Sequence, residues 1–216
     1  MSGVDGNYAV VFDLTGKTCL VTGGGKVAGR KAAGLLEAGA RVLLVSPAVT
    51  PGLASLAAAG RLRWEERTYR TGDQDGAVLV FAATGDARVN RQVAEDCRRL
   101  GVPVNVADAP DLCDFFLPAA VRRGRLTVAV STAGASPALA ARIRDRLAGL
   151  LPAGWGPFLD FLAERRERVR QAVPEPEKRR DILERMASRE IWDLLEQGDF
   201  TGAKERVDLV YRGSGG

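Results

Sequence analysis

The 216-residue chain has no histidine. That removes the commonest general base and the commonest transition-metal ligand, so any proton transfer falls to a carboxylate, lysine, tyrosine or cysteine. Cysteine is scarce as well: Cys19, Cys97 and Cys113 are odd in number, widely spaced and without a CxxC pair. This argues against a disulfide framework or a zinc site and for a reducing, cytoplasmic setting. No stretch approaches the roughly 18 uninterrupted apolar residues of a membrane span. The opening MSGVDGNYAVVFDL has neither a basic start nor a long apolar run, so no secretory signal is expected. Aromatic residues make only 6%, and basic residues with interleaved aromatics are absent although the net charge is +4. Arginines alternate instead with acids, as in RIRDRL, ERRERVRQ and EKRRDILERM, which argues against a nucleic-acid surface. A small polyanionic ligand is the other physical reason for excess arginine near a pocket.

What the sequence does contain is an alternation of short apolar runs and helix-forming stretches. Thr18–Thr22, ARVLLVS, AVLVFAAT and VPVNVAD read as strands, and LRWEERT as an outer one. Helices are expected over about Val27–Ala38, from Pro51 to Gly60 and over about Ala87–Leu100. Strand–helix alternation implies βαβ units and a parallel sheet. After Asp108 the pattern changes: FFLPAAVRRGRLTVAVST reads as two strands joined at Arg123-Gly124, and Ser136-Pro137 opens a helix. Beyond Gly154 the chain is charged, amphipathic and helical, with a break at VPEPEK. The expected fold class is α/β: a Rossmann-like parallel-sheet domain over 1–113, a small α+β dimerisation and substrate segment over 114–150, and a helical C-terminal portion over 151–216.

The most informative stretch is VTGGGKVAGRKAAGLL, Val21 to Leu36. Gly23-x-Gly25-x-x-Ala28 follows a strand and opens a helix, the context a dinucleotide fingerprint requires. Gly23 permits a tight turn, Gly25 leaves room for a pyrophosphate, and Ala28 lets the helix pack close to the sheet. Gly23, Gly24, Gly25, Lys26 and Val27 are therefore the candidate cofactor loop. The second strand should end in an acid for the adenosine ribose, yet no Asp or Glu lies between Glu37 and Glu65. Ser46, Pro47 and Ala48 stand there instead, and no arginine replaces the acid, so the residues leave NAD versus NADP open. Ala83 and Thr84 end another strand at the same edge, with Asp86 as a helix cap. VNVADAPDLCDFFLPA, Val104 to Ala119, leaves the sheet there too. Asp108 in it is the best-placed base, Asp111 and Asp114 read as turn or surface residues, and Cys113 reads as a small buried hydrophobe.

Together VTGGGKVAGRKAAGLLEAGARVLLVSP, VLVFAATGDARVN, VNVADAPDLCDFFLPA and LTVAVSTAGASPALAARIRDRL resemble the siroheme synthase N-terminal family, the precorrin-2 dehydrogenases, some of which are also sirohydrochlorin ferrochelatases. The resemblance covers about Tyr8 to Pro152. It implies NAD-dependent oxidation of precorrin-2, an octacarboxylate tetrapyrrole, to sirohydrochlorin, with ferrous ion as a further substrate where metal insertion occurs, and no resident metal. Asp108 then matches the family's central catalytic aspartate. Asn105, Thr132 and Arg142 are the candidate substrate-binding residues, Thr132 standing where serine is often found. Arg122, Arg123, Arg125 and Arg144 join Arg142 as possible neighbours of the substrate carboxylates. The resemblance also implies a homodimer. The methyltransferase half fused to some relatives is not in this sequence, so precorrin-2 is expected to arrive from elsewhere. A non-catalytic NAD-sensing module stays open as the alternative, since it needs the nucleotide fold but neither VNVADAP nor STAGASP.

Overall fold

The computed structural model describes residues 6–213. The first five residues of the expected nucleotide domain and Ser214–Gly216 of the expected helical portion lie outside the described residues. Contacts divide the chain into two compact units, one spanning Gly6–Leu117 and the other running onward from Pro118.

The first unit is a five-stranded parallel sheet in the order β3-β2-β1-β4-β5. Its strands are β1 (Thr18–Thr22), β2 (Arg41–Val45), β3 (Arg63–Glu65), β4 (Leu79–Ala82) and β5 (Val104–Val106). The crossovers carry α1 (Lys26–Glu37), α2 (Pro51–Ala58) and α3 (Ala87–Leu100). A parallel pair cannot be joined by a tight turn, so each strand must be followed by a long connection, and here helices fill most of them. Strands β1 and β4 are buried at nearly every position because both faces are covered. Cys19, Val21, Leu44 and Phe81 meet Ala28, Ala32 and Leu35 of α1 and Leu53 of α2. The alternate residues Leu20, Val80 and Ala82 meet Val93, Ala94 and Cys97 of α3. Such two-sided burial is what the alternation in the sequence implied. Chain order reverses between β1 and β4, which makes their carboxyl ends the topological switch point.

Register fixes what gathers at that edge. Thr22 stands beside Val45 on one side and Ala82 on the other, and Ala82 beside Val106. The segments that follow these four residues therefore emerge together. Strand β4 is shorter than the apolar run suggests: the Ala83 N–H still donates to the Thr22 carbonyl at 2.8 Å, but Thr84 turns to a partner described below.

The outer part of the unit is tied down by a buried polar hub. Asp96 of α3 is 2% exposed and accepts from Tyr69 Oη (2.9 Å) and Thr71 Oγ1 (2.9 Å). Arg99 pairs with the same carboxylate one helical turn on. Burial, reinforced by the Asp96 carboxylate, drives the Tyr69 hydroxyl far above its usual titration range.

The second unit opens with the antiparallel hairpin β6 (Ala119–Arg123) and β7 (Leu126–Val130). Helix α4 (Pro137–Gly149) is capped by Ser136, whose hydroxyl accepts from the Leu139 N–H at 3.2 Å. Four more helices follow: α5 (Trp155–Ala172), α6 (Pro176–Arg185), α7 (Arg189–Glu196) and α8 (Phe200–Arg212). They enclose Phe158, Val169, Ile182, Met186, Ile191 and Val207. The break between α5 and α6 falls at the proline pair of VPEPEK, where a helix loses its donors. At the hairpin turn Gly124 (φ 57°) faces Gly156, and a Cβ there would come within 2.8 Å of the Gly156 Cα. The observed class is thus the expected one, a Rossmann-like sheet followed by a small α+β element and helices. Among the described residues no helix is long and apolar enough to cross a membrane.

Replacing Asp96 by alanine removes the buried acceptor that the Tyr69 and Thr71 hydroxyls share, leaving Tyr69 only its bond to Gln74 Oε1 and Thr71 only that from Gln92. The nucleotide unit is expected to lose about 1–3 kcal/mol. A lower urea midpoint at unchanged slope, followed by Trp64 fluorescence, is the check.

Candidate functional site

Three consecutive glycines follow β1, and the fold requires the first two for different reasons. Gly23 has φ 107°, and a Cβ on it would lie 2.3 Å from the Ala83 carbonyl oxygen. Gly24 presses on the next loop, where a Cβ would fall 1.8 Å from the Ala48 carbonyl oxygen and 2.8 Å from Ser46 Oγ. Gly25 is the residue before α1 with an ordinary φ of −81°, and a Cβ there would meet nothing within 4 Å. The first two glycines admit neighbouring backbone; the third borders open space. Hydrogen bonds hold the arrangement: the Gly23 N–H donates to the Val45 carbonyl, and the Thr50 N–H to the Gly24 carbonyl, both at 2.9 Å.

The opening of α1 has no side-chain cap and no acid in its first turn. Its free N–H groups and the positive end of the helix dipole therefore face the space beside Gly25. A pyrophosphate fits that description: room where a side chain would stand, donors without partners, and no competing carboxylate. Of the remaining loop residues, Lys26 is exposed at the first helical position and Val27 is half-buried on the helix.

The loop after β2 is more constrained than its sequence suggests. Ser46 is buried, and its hydroxyl donates to the Ala48 carbonyl at 2.7 Å, while its own carbonyl accepts from Trp64 Nε1 at 2.9 Å. The serine proton shapes the loop, which leaves the hydroxyl only lone pairs for a sugar. Pro47 and Ala48 are exposed beside it. Glu65, the first acid after Glu37, ends β3 in register with Val45, but it pairs with Arg63.

Thr84 is clamped by a residue that sequence reasoning missed. Asn90 of α3, itself buried, accepts from the Thr84 N–H at 3.1 Å and the Thr84 hydroxyl at 2.7 Å, and its Nδ2 donates back to the Thr84 carbonyl at 3.1 Å. The signal available was its place one turn into the helix that follows AATGD. Asp86 caps that helix as expected, accepting from the Arg88 N–H at 2.8 Å, and this bond holds its carboxyl below the ordinary carboxylate range.

Asp108 stands just past β5 at φ 58°. Among the described residues, only Asp108 and Ala133 adopt a positive φ without being glycine. Left-handed backbone at a bulky position costs about 1–3 kcal/mol and persists where the surroundings impose it. The next residues fold back on β5: Asp114 Oδ2 accepts from the Val104 N–H at 3.0 Å, and Cys113 Sγ accepts from the Val106 N–H at 3.1 Å. Cys113 therefore pins the loop through its thiol rather than merely filling space. Buried Asn105 donates through Nδ2 to the Phe115 carbonyl at 2.9 Å.

A cavity of about 380 Å³ lies against this loop, lined by Asn105, Val106, Ala107, Asp108 and Leu117 and, from α1, by Val27, Arg30 and Lys31. The structure thus brings together three residues the sequence nominated for different tasks: Val27, Asn105 and Asp108. Arg30 and Lys31 were not nominated, although their i+3 and i+4 spacing from Val27 is legible. Thr132 and Arg142 belong to the second unit. The Thr132 hydroxyl accepts from the Ser136 N–H at 3.1 Å ahead of α4, and Arg142 is exposed on that helix with no ion pair among the described residues. Arg123, Arg125 and Arg144 have partners inside the unit: the Leu151 carbonyl, Asp160 and Asp145. Among the described residues no group of three or more His, Cys, Asp or Glu could hold a metal ion.

Comparison with known proteins gives the following. Residues 10–119 match the family model described as "Putative NAD(P)-binding". Residues 123–150 match the model for the sirohaem biosynthesis protein central region, and residues 154–209 that for the sirohaem synthase dimerisation region. The chain is similar to the siroheme synthase of Methylococcus capsulatus, 44% identical over 204 residues, covering 94% of this chain and 43% of the relative. It is also similar to the siroheme synthase of Methylobacillus flagellatus, 41% identical over 206 residues, covering 95% and 44%. The chain therefore spans less than half the length of these relatives. A solved structure of SirC, precorrin-2 dehydrogenase, superposes with a TM-score of 0.72 at 29% identity, covering 93% of this chain and 100% of that one.

The glycines separate two effects. Gly24→Ala is expected to lower the melting temperature, at a cost of about 1–3 kcal/mol, and to weaken dinucleotide binding. Gly25→Ala is expected to change stability by less than about 1 kcal/mol while losing dinucleotide affinity at least about tenfold. Calorimetry and a dinucleotide titration on each variant give the two readings.

Proposed function

From a chain that belongs to the NAD(P)-binding family and, through its two sirohaem segments, to the siroheme synthase N-terminal family, we propose an oxidoreductase that dehydrogenates precorrin-2 to sirohydrochlorin. The single observation that carries this reading is the juxtaposition of Asp108 and Asn105 with the α1 face that begins at the glycine loop.

Oxidation removes two electrons and two hydrogens from the macrocycle, one leaving as hydride and one as a proton. NAD, when bound, supplies the hydride acceptor. The chain supplies the rest. Gly23 to Val27 hold the pyrophosphate through backbone N–H groups at the α1 N-terminus. Thr84, immobilised by Asn90, and Ala83, fixed against Gly23, form the adjoining wall of the cofactor site. Asp108 accepts the proton, a task that falls to a carboxylate in a chain without histidine. Its exposure in the cavity leaves both carboxylate oxygens available to a substrate. Asn105, with Nδ2 held by the Phe115 carbonyl, keeps its amide oxygen for the macrocycle; Thr132 and Arg142 are further substrate-binding candidates within residues 114–150. The same carboxylate would take pyrrole protons if ferrous ion is inserted as a second substrate.

NAD is favoured over NADP because Ser46, Pro47 and Ala48 follow β2 with no arginine among them for a 2′-phosphate, and Arg67, farther on, is paired with Asp73. Ser46 and the exposed Ala48 edge would meet the adenosine ribose.

A homodimer is supported by the match of residues 154–209 to a dimerisation region and by apolar side chains on the second unit. Leu150 is 69% exposed and Trp192 45%, and both border an apolar groove of about 420 Å³ beside Trp155.

Two experiments test this reading. With NAD and enzymatically made precorrin-2, the protein should produce sirohydrochlorin absorbance. Asp108→Asn should bind NAD normally yet turn over about 10²–10⁴-fold more slowly; unimpaired turnover would remove Asp108 from the mechanism. Adding ferrous ion to the wild-type reaction asks separately for the metallated product. For the assembly, sedimentation should show a dimer of 23.0 kDa chains, and Trp192→Glu should shift it to monomer.

A further inference from the structure

Two cations on α1 have no role in the account above. Arg30 and Lys31 lie on the same helical face as Val27 and line the cavity that Asp108 and Asn105 share. Lys31 is half-buried, with its ammonium over the Phe81 ring at 5.5 Å from the centroid. Neither residue has an ion pair among the described residues, and Asp108, on the same cavity, lies beyond ion-pair distance of both. Burial pushes the Lys31 ammonium below its ordinary titration range, and the adjacent Arg30 charge adds to the push.

Lys31 is an uncompensated cation held partly out of water, which is costly, and Arg30, exposed beside it, adds like-charge repulsion. The basic residues of α5–α8 mostly avoid this cost by pairing with acids on their own or a neighbouring helix. Arg30 and Lys31 do not, and they point to an anion that arrives with a ligand. Lys31 is six residues beyond Gly25, about 9 Å along the axis at 1.5 Å per residue, and its ammonium is held over the Phe81 ring, so it faces the cavity rather than the glycine turn.

We propose that Arg30 and Lys31 form an anion subsite that receives a carboxylate of the substrate on the α1 side of the cavity, setting the bound molecule against Asp108. The carrier of that carboxylate is the tetrapyrrole of the functional reading, on which this part of the inference rests. Guanidinium and ammonium divide the work: Arg30 offers a planar pair of donors to both oxygens, and Lys31 a compact charge on a stem stiffened by the aromatic ring. The subsite would select polycarboxylates by binding, since it takes no part in proton or hydride transfer.

The test measures binding apart from turnover. Wild-type protein, Lys31→Met, Arg30→Met and Lys31→Arg are titrated with uroporphyrin, a porphyrin octacarboxylate, and with its octamethyl ester, by fluorescence; NAD is titrated in parallel. Lys31→Met should bind the octacarboxylate about tenfold more weakly, Arg30→Met should lose a similar factor, and Lys31→Arg should recover most of the affinity. The loss should shrink at high salt, and ester and NAD affinities should stay within twofold of wild type. Unchanged octacarboxylate binding in Lys31→Met overturns the proposal. So does an equal loss of NAD affinity, which would make the anion a cofactor phosphate. Failure of the functional reading looks different: wild-type protein inert toward precorrin-2 while Lys31-dependent octacarboxylate binding persists.

Discussion

Backbone packed directly on backbone at two glycines is the constraint from which the rest of the site follows. Gly23 abuts the Ala83 carbonyl and Gly24 the Ala48 carbonyl, at separations where no methyl group would fit. The ends of β1, β2 and β4 can approach one another only because those two side chains are missing. That approach aims the first turn of α1 at the open space beside Gly25, and it sets which face of α1 turns toward the β5 loop. Val27, Arg30 and Lys31 reach the cavity for the same reason that Ala28, Ala32 and Leu35 reach the core: the helix has one permitted rotation once its start is pinned.

Charge is handled differently in the two units. In the helical unit arginines are numerous and mostly neutralised within a turn or across a helix pair, as with Arg165 and Asp208 at 2.5 Å. Such pairs at the surface add little stability, and their effect is to make a basic sequence locally balanced. In the nucleotide unit the balance is broken at the cavity, where an acid in left-handed backbone and two unpaired cations share one wall system. A modest net charge of +4 thus conceals a sharply uneven distribution. The functional reading depends on that unevenness rather than on the total.

Much of this was legible beforehand. The glycine triplet, the strand alternation, the cap at Asp86, the stop at Gly101 and the break at VPEPEK are local features, decided by φ, by missing donors and by burial periodicity within a few residues. The parts that escaped are pairings across distance. Asn90 as the clamp of Thr84, the Tyr69–Asp96 bond across 27 residues, and the Cys113 thiol seated on the Val106 backbone each need the loop path before they can be imagined. Arg30 and Lys31 escaped for another reason: on a helix that also carries Lys26 and Glu37 at its surface, two basic residues look like solvated decoration until the neighbouring strand end supplies a wall. Ser46 stands in the sequence where the ribose acid is missing, and only the folded loop reveals that its proton goes to Ala48.

By itself the sequence determined the class of fold, the place of the glycine turn and the acid at the end of the fifth strand, because glycine stereochemistry and hydrophobic period act over a few residues at a time. The tertiary structure alone decided which polar groups are satisfied and which are left facing a ligand. Satisfaction depends on distances between strand ends and helix faces, and those exist only once the sheet order and the contact between glycines and carbonyls have been set.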